Sequence, residues 1–204
     1  FPKHCPTCKS PTIKEDDEAI LRCTNLNDCK DQIIGQLIHF SSKKSLNIDG
    51  FGEKQIKQFY ELKFIKKIED IFSLQKYEKK IIALNGWGDL SFKNLILAIN
   101  NSKNIDLDKF IFSLGIRYIG ETISKLLAKE FLNINEFLNN MNNKDRLISI
   151  DGLGPKAINS LLNYFKRKNN LITVNEMIKI IKINDFKEIN KLSFFNNKNI
   201  IFTG

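Results

Sequence analysis

Apolar residues recur at helical spacing along most of this chain, and short glycine-bracketed turns separate the helical stretches. Three brackets are tight: Gly50-Phe51-Gly52, Gly86-Trp87-Gly88 and Gly152-Leu153-Gly154. A looser fourth runs Gly115-Ile116-Arg117-Tyr118-Ile119-Gly120. After the first, Ile56, Phe59 and Tyr60 fall on one helical face; after the second, Phe92, Leu95, Ile96 and Ile99 do. After the looser bracket come Ile123, Leu126, Leu127 and Phe131, and after the last Ala157, Ile158, Leu161, Leu162 and Phe165. Leu46 and Ile48, the stretch Tyr77 to Leu84, Phe110-Ile111-Leu114 and Ile150 stand on the entry sides. The closing glycines at 52, 88, 120 and 154 are 36, 32 and 34 residues apart, a period that means repetition of one supersecondary unit. Each unit reads as helix, tight hairpin, helix, and the middle bracket residue (Phe51, Trp87, Ile119 or Leu153) plugs the hairpin between its two helices. A tetratricopeptide-like solenoid shares the period, but its inter-helix turn lacks paired glycines and its helices are longer.

The front of the chain follows a different pattern. All four cysteines lie there, Cys5, Cys8, Cys23 and Cys29, spaced C-x2-C-x14-C-x5-C. Two close pairs can converge as four thiolates on Zn²⁺, and a closed sulfur shell makes such a site structural. The intervening residues suit a small hairpin, with Pro11–Lys14 and Ala19–Arg22 as strands and Glu15-Asp16-Asp17-Glu18 as the turn. So small a lobe has little core, and metal binding supplies much of its folding free energy. The alternative is a pair of disulfides, and the long cysteine-free remainder argues against it. His4 and His39 are available nitrogen ligands, but packing or surface roles suit them better, His39 falling in a helical pattern with Ile33, Ile34, Leu37 and Ile38.

Charge then points to a partner. The formal net charge is +9 with a pI near 9.3, which favours a polyanion, although the wealth of Lys, Asn, Ile and Phe leaves room for compositional drift. No apolar run reaches the roughly 18–20 residues that span a bilayer. Glycine lets a foreign atom approach the backbone, and the amides that open the next helix form an anion site. Repeated four times on a basic chain, this is a device for gripping a phosphate backbone. The candidate contacts are Gly50, Gly52, Lys54, Gly86, Gly88, Arg117, Gly120, Gly152, Gly154 and Lys156, with Lys57, Lys93 and Lys125 nearby. Contacts of this kind position a duplex without reading its bases. With one or two phosphates per hairpin, log K should fall with log salt at a slope of roughly −4 to −7. A protein–protein adaptor, in which the charge is incidental, would show no such slope.

Taken in order, the motifs resemble the C-terminal half of the bacterial NAD⁺-dependent DNA ligases over essentially the whole chain. The residues that carry the likeness are Cys5-Pro6-Thr7-Cys8, Arg22-Cys23-Thr24-Asn25, Ile38-His39-Phe40, Asn47-Ile48-Asp49-Gly50-Phe51-Gly52, Leu114-Gly115-Ile116-Arg117-Tyr118-Ile119-Gly120-Glu121 and Asp151-Gly152-Leu153-Gly154. The resemblance implies a mainly α fold: a four-cysteine zinc finger over 1–32, a DNA-binding array of four helix-hairpin-helix motifs over 33–185, and over 186–204 a linker and the first strand of a truncated BRCT domain at Lys198–Gly204. It further implies a monomeric, cytoplasmic, nucleoid-associated bacterial enzyme that encircles nicked duplex DNA, with the finger as a structural hinge. NAD⁺ and Mg²⁺ (or Mn²⁺) would serve the parent enzyme in replication and repair. There are departures: Lys9 and Asn197 replace usual glycines, Lys30 a frequent proline, and Asp89-Leu90 the commoner Glu-Lys. The family's nucleophile lies in a Lys-x-Asp-Gly motif, whereas Asn47 and Ser149 precede Asp49-Gly50 and Asp151-Gly152 here. The chain is therefore expected to be a piece of a longer protein that binds DNA and zinc but has no adenylation site. A stand-alone helix-hairpin-helix and zinc-finger scaffold of a repair or recombination complex is the alternative.

Overall fold

The structure, a computed structural model, describes residues 2–14, 20–26 and 28–188. The turn expected at Glu15–Glu18, the start of the second expected strand at Ala19 and the closing segment Lys198–Gly204 lie outside the described residues. The chain opens on a two-stranded antiparallel hairpin, β1 (Thr12–Ile13) and β2 (Arg22–Cys23), in which Thr12 pairs with Cys23 and Ile13 with Arg22. The second strand thus sits slightly later than its hydrophobic pattern suggested, and it ends on a cysteine. Helix α1 (Lys30–Ser41) follows at once, with Cys29 as its N-cap, so a division at 32/33 falls inside this helix.

The remainder is mainly helical. Helix α2 (Glu53–Glu61) leads through a 3₁₀ segment (Ile68–Tyr77) into α3 (Glu78–Ile82) and α4 (Asp89–Asn101). Strand β3 (Asn104–Asp106), α5 (Leu107–Ser113) and α6 (Glu121–Phe131) come next, then α7 (Ile134–Asn140), α8 (Lys144–Ile148) and α9 (Pro155–Phe165). Helix α10 (Lys168–Ile180) and β4 (Lys182–Asn184) close the described part. Asn133 and Asn143 cap α7 and α8 by accepting from the amides of Glu136 and Arg146. Among the described residues, no helix is long and apolar enough to cross a membrane.

One apolar core runs from Ile34 to Ile181 and joins these helices. Phe59 of α2 is its densest junction. Its ring centroid lies 5.7 Å from Phe51, 5.6 Å from Phe64 and 5.1 Å from Trp87, so aromatic contacts lock the first glycine turn to the second. In the second half Phe137 of α7 joins the ends of α6 and α9, 6.0 Å from Phe131 and 5.8 Å from Phe165. A parallel pairing of β3 with β4 spans the array, Ile105 opposite Ile183, and Asn184 Nδ2 donates to Asp106 Oδ1 at 3.1 Å. Two short strands are marginal alone; this pair is anchored by buried Ile105, Leu107 and Ile181. Three-residue strands carry no periodicity, which is why the pattern of apolar positions did not announce this clasp.

Candidate metal centre and nucleic-acid interface

The four cysteine sulfurs converge. All four lie within 4.8 Å of one another, with Cys5 Sγ to Cys29 Sγ 3.9 Å and Cys8 Sγ to Cys23 Sγ 3.4 Å, and all are free thiols. A tetrahedral ZnS₄ site with bonds of about 2.3 Å separates its sulfurs by about 3.8 Å, so the cluster fits that ion. The local chain explains the convergence. In the Cys5–Ser10 loop, Lys9 N donates to Cys5 O (3.0 Å) and Cys5 N to Ser10 O (2.8 Å), which turns Cys8 back toward Cys5. Lys9 adopts φ +61°, the left-handed region that glycine enters freely, so its side chain is carried at a steric cost. The hydroxyl and then the amide of Ser10 hold the Cys8 thiol down at about 6, and burial pushes Cys23 up to about 12. A thiol already favouring its anion suits the first cysteine pair for a cation, and the buried Cys23 gains its charge only with a metal beside it.

Neither histidine belongs to this cluster; among the described residues it consists of the cysteines alone. His39 sits on α1, where Nε2 donates to the carbonyl oxygen of Phe112 at 2.8 Å and the ring rests 4.7 Å from the Phe112 ring. A side chain at Gly115 would come within 3.3 Å of His39 Cδ2. His39 is thus a packing residue that fastens α1 to the end of α5. Thr7 and Asp31 hydrogen-bond between the cysteine loop and α1, and the Lys30–Glu61 ion pair ties the start of α1 to α2.

The glycine turns share one construction. In each, the middle residue donates its amide to the carbonyl three residues back: Phe51 to Ile48 (3.2 Å), Trp87 to Leu84 (3.0 Å), Ile119 to Ile116 (3.0 Å) and Leu153 to Ile150 (3.2 Å). The residue before the donor has positive φ, +71° at Gly50, +81° at Gly86, +63° at Tyr118 and +82° at Gly152. That alignment corrects the looser bracket. Gly115 (φ +64°) ends α5 against His39, and Tyr118, not Gly115, occupies the place of the first glycine. Counting back from the closing glycine would have revealed it.

The closing glycines are the N-caps of α2, α4, α6 and α9. None has positive φ. A side chain at Gly88, Gly120 or Gly154 would meet nothing within 4 Å, and at Gly52 only the end of Gln55 at 3.6 Å. Neither backbone conformation nor internal packing therefore calls for glycine at these positions. Ser, Thr, Asp or Asn would cap these helices better, and would occupy the amides in doing so. The second turn differs from the others, because Gly88 N already donates to Ser91 Oγ at 2.9 Å.

Of the candidate cations, Lys54 and Lys156 are exposed on the first turns of α2 and α9, and Lys93 and Lys125 are exposed one turn further along α4 and α6. Lys57 pairs with Glu53 one turn earlier, and Lys44, beside the first turn, pairs with Glu121 at the start of α6 at 2.6 Å. Arg117 and Lys156 come together from different units. Arg117 Cζ lies 4.7 Å and Lys156 Nζ 5.7 Å from the Tyr118 ring centroid. Phe51, Ile119 and Leu153 are buried; Trp87 is half-buried, its Nε1 donating to Gln58 Oε1 at 3.2 Å.

A metal-type cysteine finger leading into helices whose first amides are bared at glycine turns defines a class: a zinc-finger and helix-hairpin-helix protein. Residues 4–30 match the family described as the NAD-dependent DNA ligase C4 zinc finger domain, and residues 109–174 match the helix-hairpin-helix motif. The chain is 41% identical over 212 residues to the DNA ligase of Ehrlichia canis and 42% identical over 212 residues to that of Ehrlichia chaffeensis. It is 39% identical over 213 residues to the DNA ligase of Pelagibacter ubique. Each alignment takes in 100% of this chain and 31% of the ligase, so the chain spans about a third of the length of these relatives. The chain matches the C-terminal half of the NAD-dependent DNA ligases, carrying their four-cysteine finger followed by helix-hairpin-helix sequence.

Proposed function

We propose that this chain is the DNA-holding part of an NAD⁺-dependent DNA ligase that seals nicks in duplex DNA. In this reading all four glycine turns are helix-hairpin-helix units within 33–185, and each offers its amides to a phosphate. Gly50, Gly52, Gly86, Gly88, Gly120, Gly152 and Gly154 give the close approach, and Lys54, Arg117 and Lys156 add charge. Cys5, Cys8, Cys23 and Cys29 would hold a structural Zn²⁺ that folds the 1–32 lobe, and the segment 186–204 would lead into a BRCT domain through the strand Lys198–Gly204. The observation that carries the reading is the set of closing glycines, which neither φ nor packing demands. Lacking a capping side chain, they suit an outside acceptor at the helix starts, the second turn excepted, where Ser91 takes the Gly88 amide. Phosphates along a duplex are acceptors of that kind, and the net charge of +9 favours them.

NAD⁺ supplies the adenylyl group for ligation and Mg²⁺ assists it. Both belong to the rest of such an enzyme, because Asn47 and Ser149 stand where the Lys-x-Asp-Gly lysine would be. The partner is nicked duplex DNA in the bacterial cytoplasm, held by a monomer with little sequence preference.

The test is affinity for a nicked duplex at several salt concentrations, with a slope of roughly −4 to −7 expected. Gly154→Val should weaken binding while the zinc lobe and the helical content persist, since a side chain there meets only open space. A salt-independent affinity would overturn the reading. Transfer of AMP from NAD⁺ to the isolated chain would overturn its lack of an adenylation site.

A further inference from the structure

The four helix starts differ at the third helical residue, which decides whether the closing glycine's amide finds an acceptor inside the protein. That residue is Gln55 in α2, Ser91 in α4, Ile123 in α6 and Ala157 in α9. Ile123 and Ala157 carry no polar group, and the amides of Gly52, Gly120 and Gly154 have no acceptor among the described residues. Ser91 is different. Its Oγ accepts from Gly88 N at 2.9 Å and donates to Gly88 O at 2.9 Å, the backward reach of a capping box. The two residues between them point the same way. Asp89 opens α4 with a carboxylate that no cation pairs with among the described residues, whereas Glu53 and Glu121 are paired with Lys57 and Lys44. A carboxylate there takes up the positive end of the helix dipole that an anion would use. Leu90, 73% exposed, stands where α2 has Lys54.

We infer that Ser91 is an internal competitor for phosphate at the second turn. The inference rests on the DNA-holding reading and ranks its four turns. The first, third and fourth present the closing glycine's amide open, and the second yields its own only when Ser91 lets go. A tethered hydroxyl loses no translational freedom in making its bond, so it holds the amide until an anion displaces it. Asp89 opposes that anion, and Leu90 adds no charge to attract it. The second turn is thus the loosest of the four grips, and its looseness is set by one side chain.

The experiment compares the affinity of the full 204-residue chain and its variants for a nicked duplex at several salt concentrations, with melting temperatures on the same samples. Ser91→Ala should bind about two- to tenfold tighter and yet melt lower, because the same hydroxyl caps α4. A merely structural serine would lower stability with no gain in affinity. Ser91→Thr, which keeps the hydroxyl, should bind like the native chain. Leu90→Lys added to Ser91→Ala should steepen the salt slope by about 1. If Ser91→Ala binds no tighter than the native chain, or Leu90→Lys leaves the slope of that variant unchanged, the competitor is overturned while a steep native slope keeps the DNA-holding reading. Salt-independent binding by the native chain would overturn that reading and the competitor with it.

Discussion

The finger and the helical array fold by different physics, and the difference is visible in what each buries. In the finger the buried residues are the ligand candidates themselves, Cys5, Cys23 and Cys29, with Cys8 packed against them. Its larger apolar side chains face outward, Ile13 52% and Ile20 59% exposed. In the array Phe40, Phe59, Phe110 and Phe137 are fully buried in one continuous core. Apolar burial therefore drives the array, whereas the finger has no comparable term and depends on what its thiols bind. A molecule built this way has two stabilities under separate control, joined where Cys29 caps α1 and where Lys30 meets Glu61.

The strongest way to break the comparison is to remove the metal. Chelation at neutral pH should abolish the β1–β2 pairing and the ordered amide signals of residues 2–14 and 20–26, with the helical signal and melting temperature of the array nearly unchanged. Amide spectra and circular dichroism on the same sample would check it. Joint melting of both parts would mean that the finger is an integral support of α1. The converse change is Phe59→Ala, which removes a fully buried ring from the Phe51–Phe64–Trp87 cluster and should cost the array about 3–5 kcal/mol. Urea unfolding would give the loss. Zinc content should stay at one ion per chain where the array remains folded.

The two regions also differ in how much of them could be read from sequence. The cysteine spacing announced the cluster because ligand chemistry requires those residues wherever the backbone runs. The helices after each bracket were legible from apolar periodicity, as in Ala157, Ile158, Leu161, Leu162 and Phe165 on α9. Tyr118 was masked by its residue type, which gives no hint of a positive φ, and only its place two residues before the closing glycine marks it. The β3–β4 clasp was hidden for another reason: its two strands are brought side by side by everything folded between them, and no local pattern encodes that. The closing glycines were legible as spacing, but that neither φ nor packing demands glycine there needed coordinates to see.

Within the array, the two glycines of one bracket should respond differently to the same small change. Gly152→Ala places a Cβ at φ +82° and should cost about 1–2 kcal/mol of stability. Gly154→Ala, at φ −70° with open space around it, loses only the N-cap preference of glycine over alanine and should cost about 0.5–1 kcal/mol. Thermal unfolding of the two variants side by side would sharpen the distinction between a glycine kept for backbone shape and one kept for access. Equal losses would mean that Gly154 has an internal role after all.

The smallest expected effect is in the finger, at Lys9. Its φ of +61° costs about 1–2 kcal/mol relative to glycine, and Lys9→Gly relieves that while adding about 0.4–1 kcal/mol of unfolded-chain entropy. The surplus is about 0.6–1 kcal/mol. In a lobe whose folding is linked to its metal, that surplus should appear as zinc affinity raised about three- to fivefold, with no change in the melting of the array. Competition against a chromophoric chelator resolves a difference of that size. Weaker zinc binding in Lys9→Gly would mean that the lysine stem packs over the thiol cluster, and that the finger has apolar cover of its own.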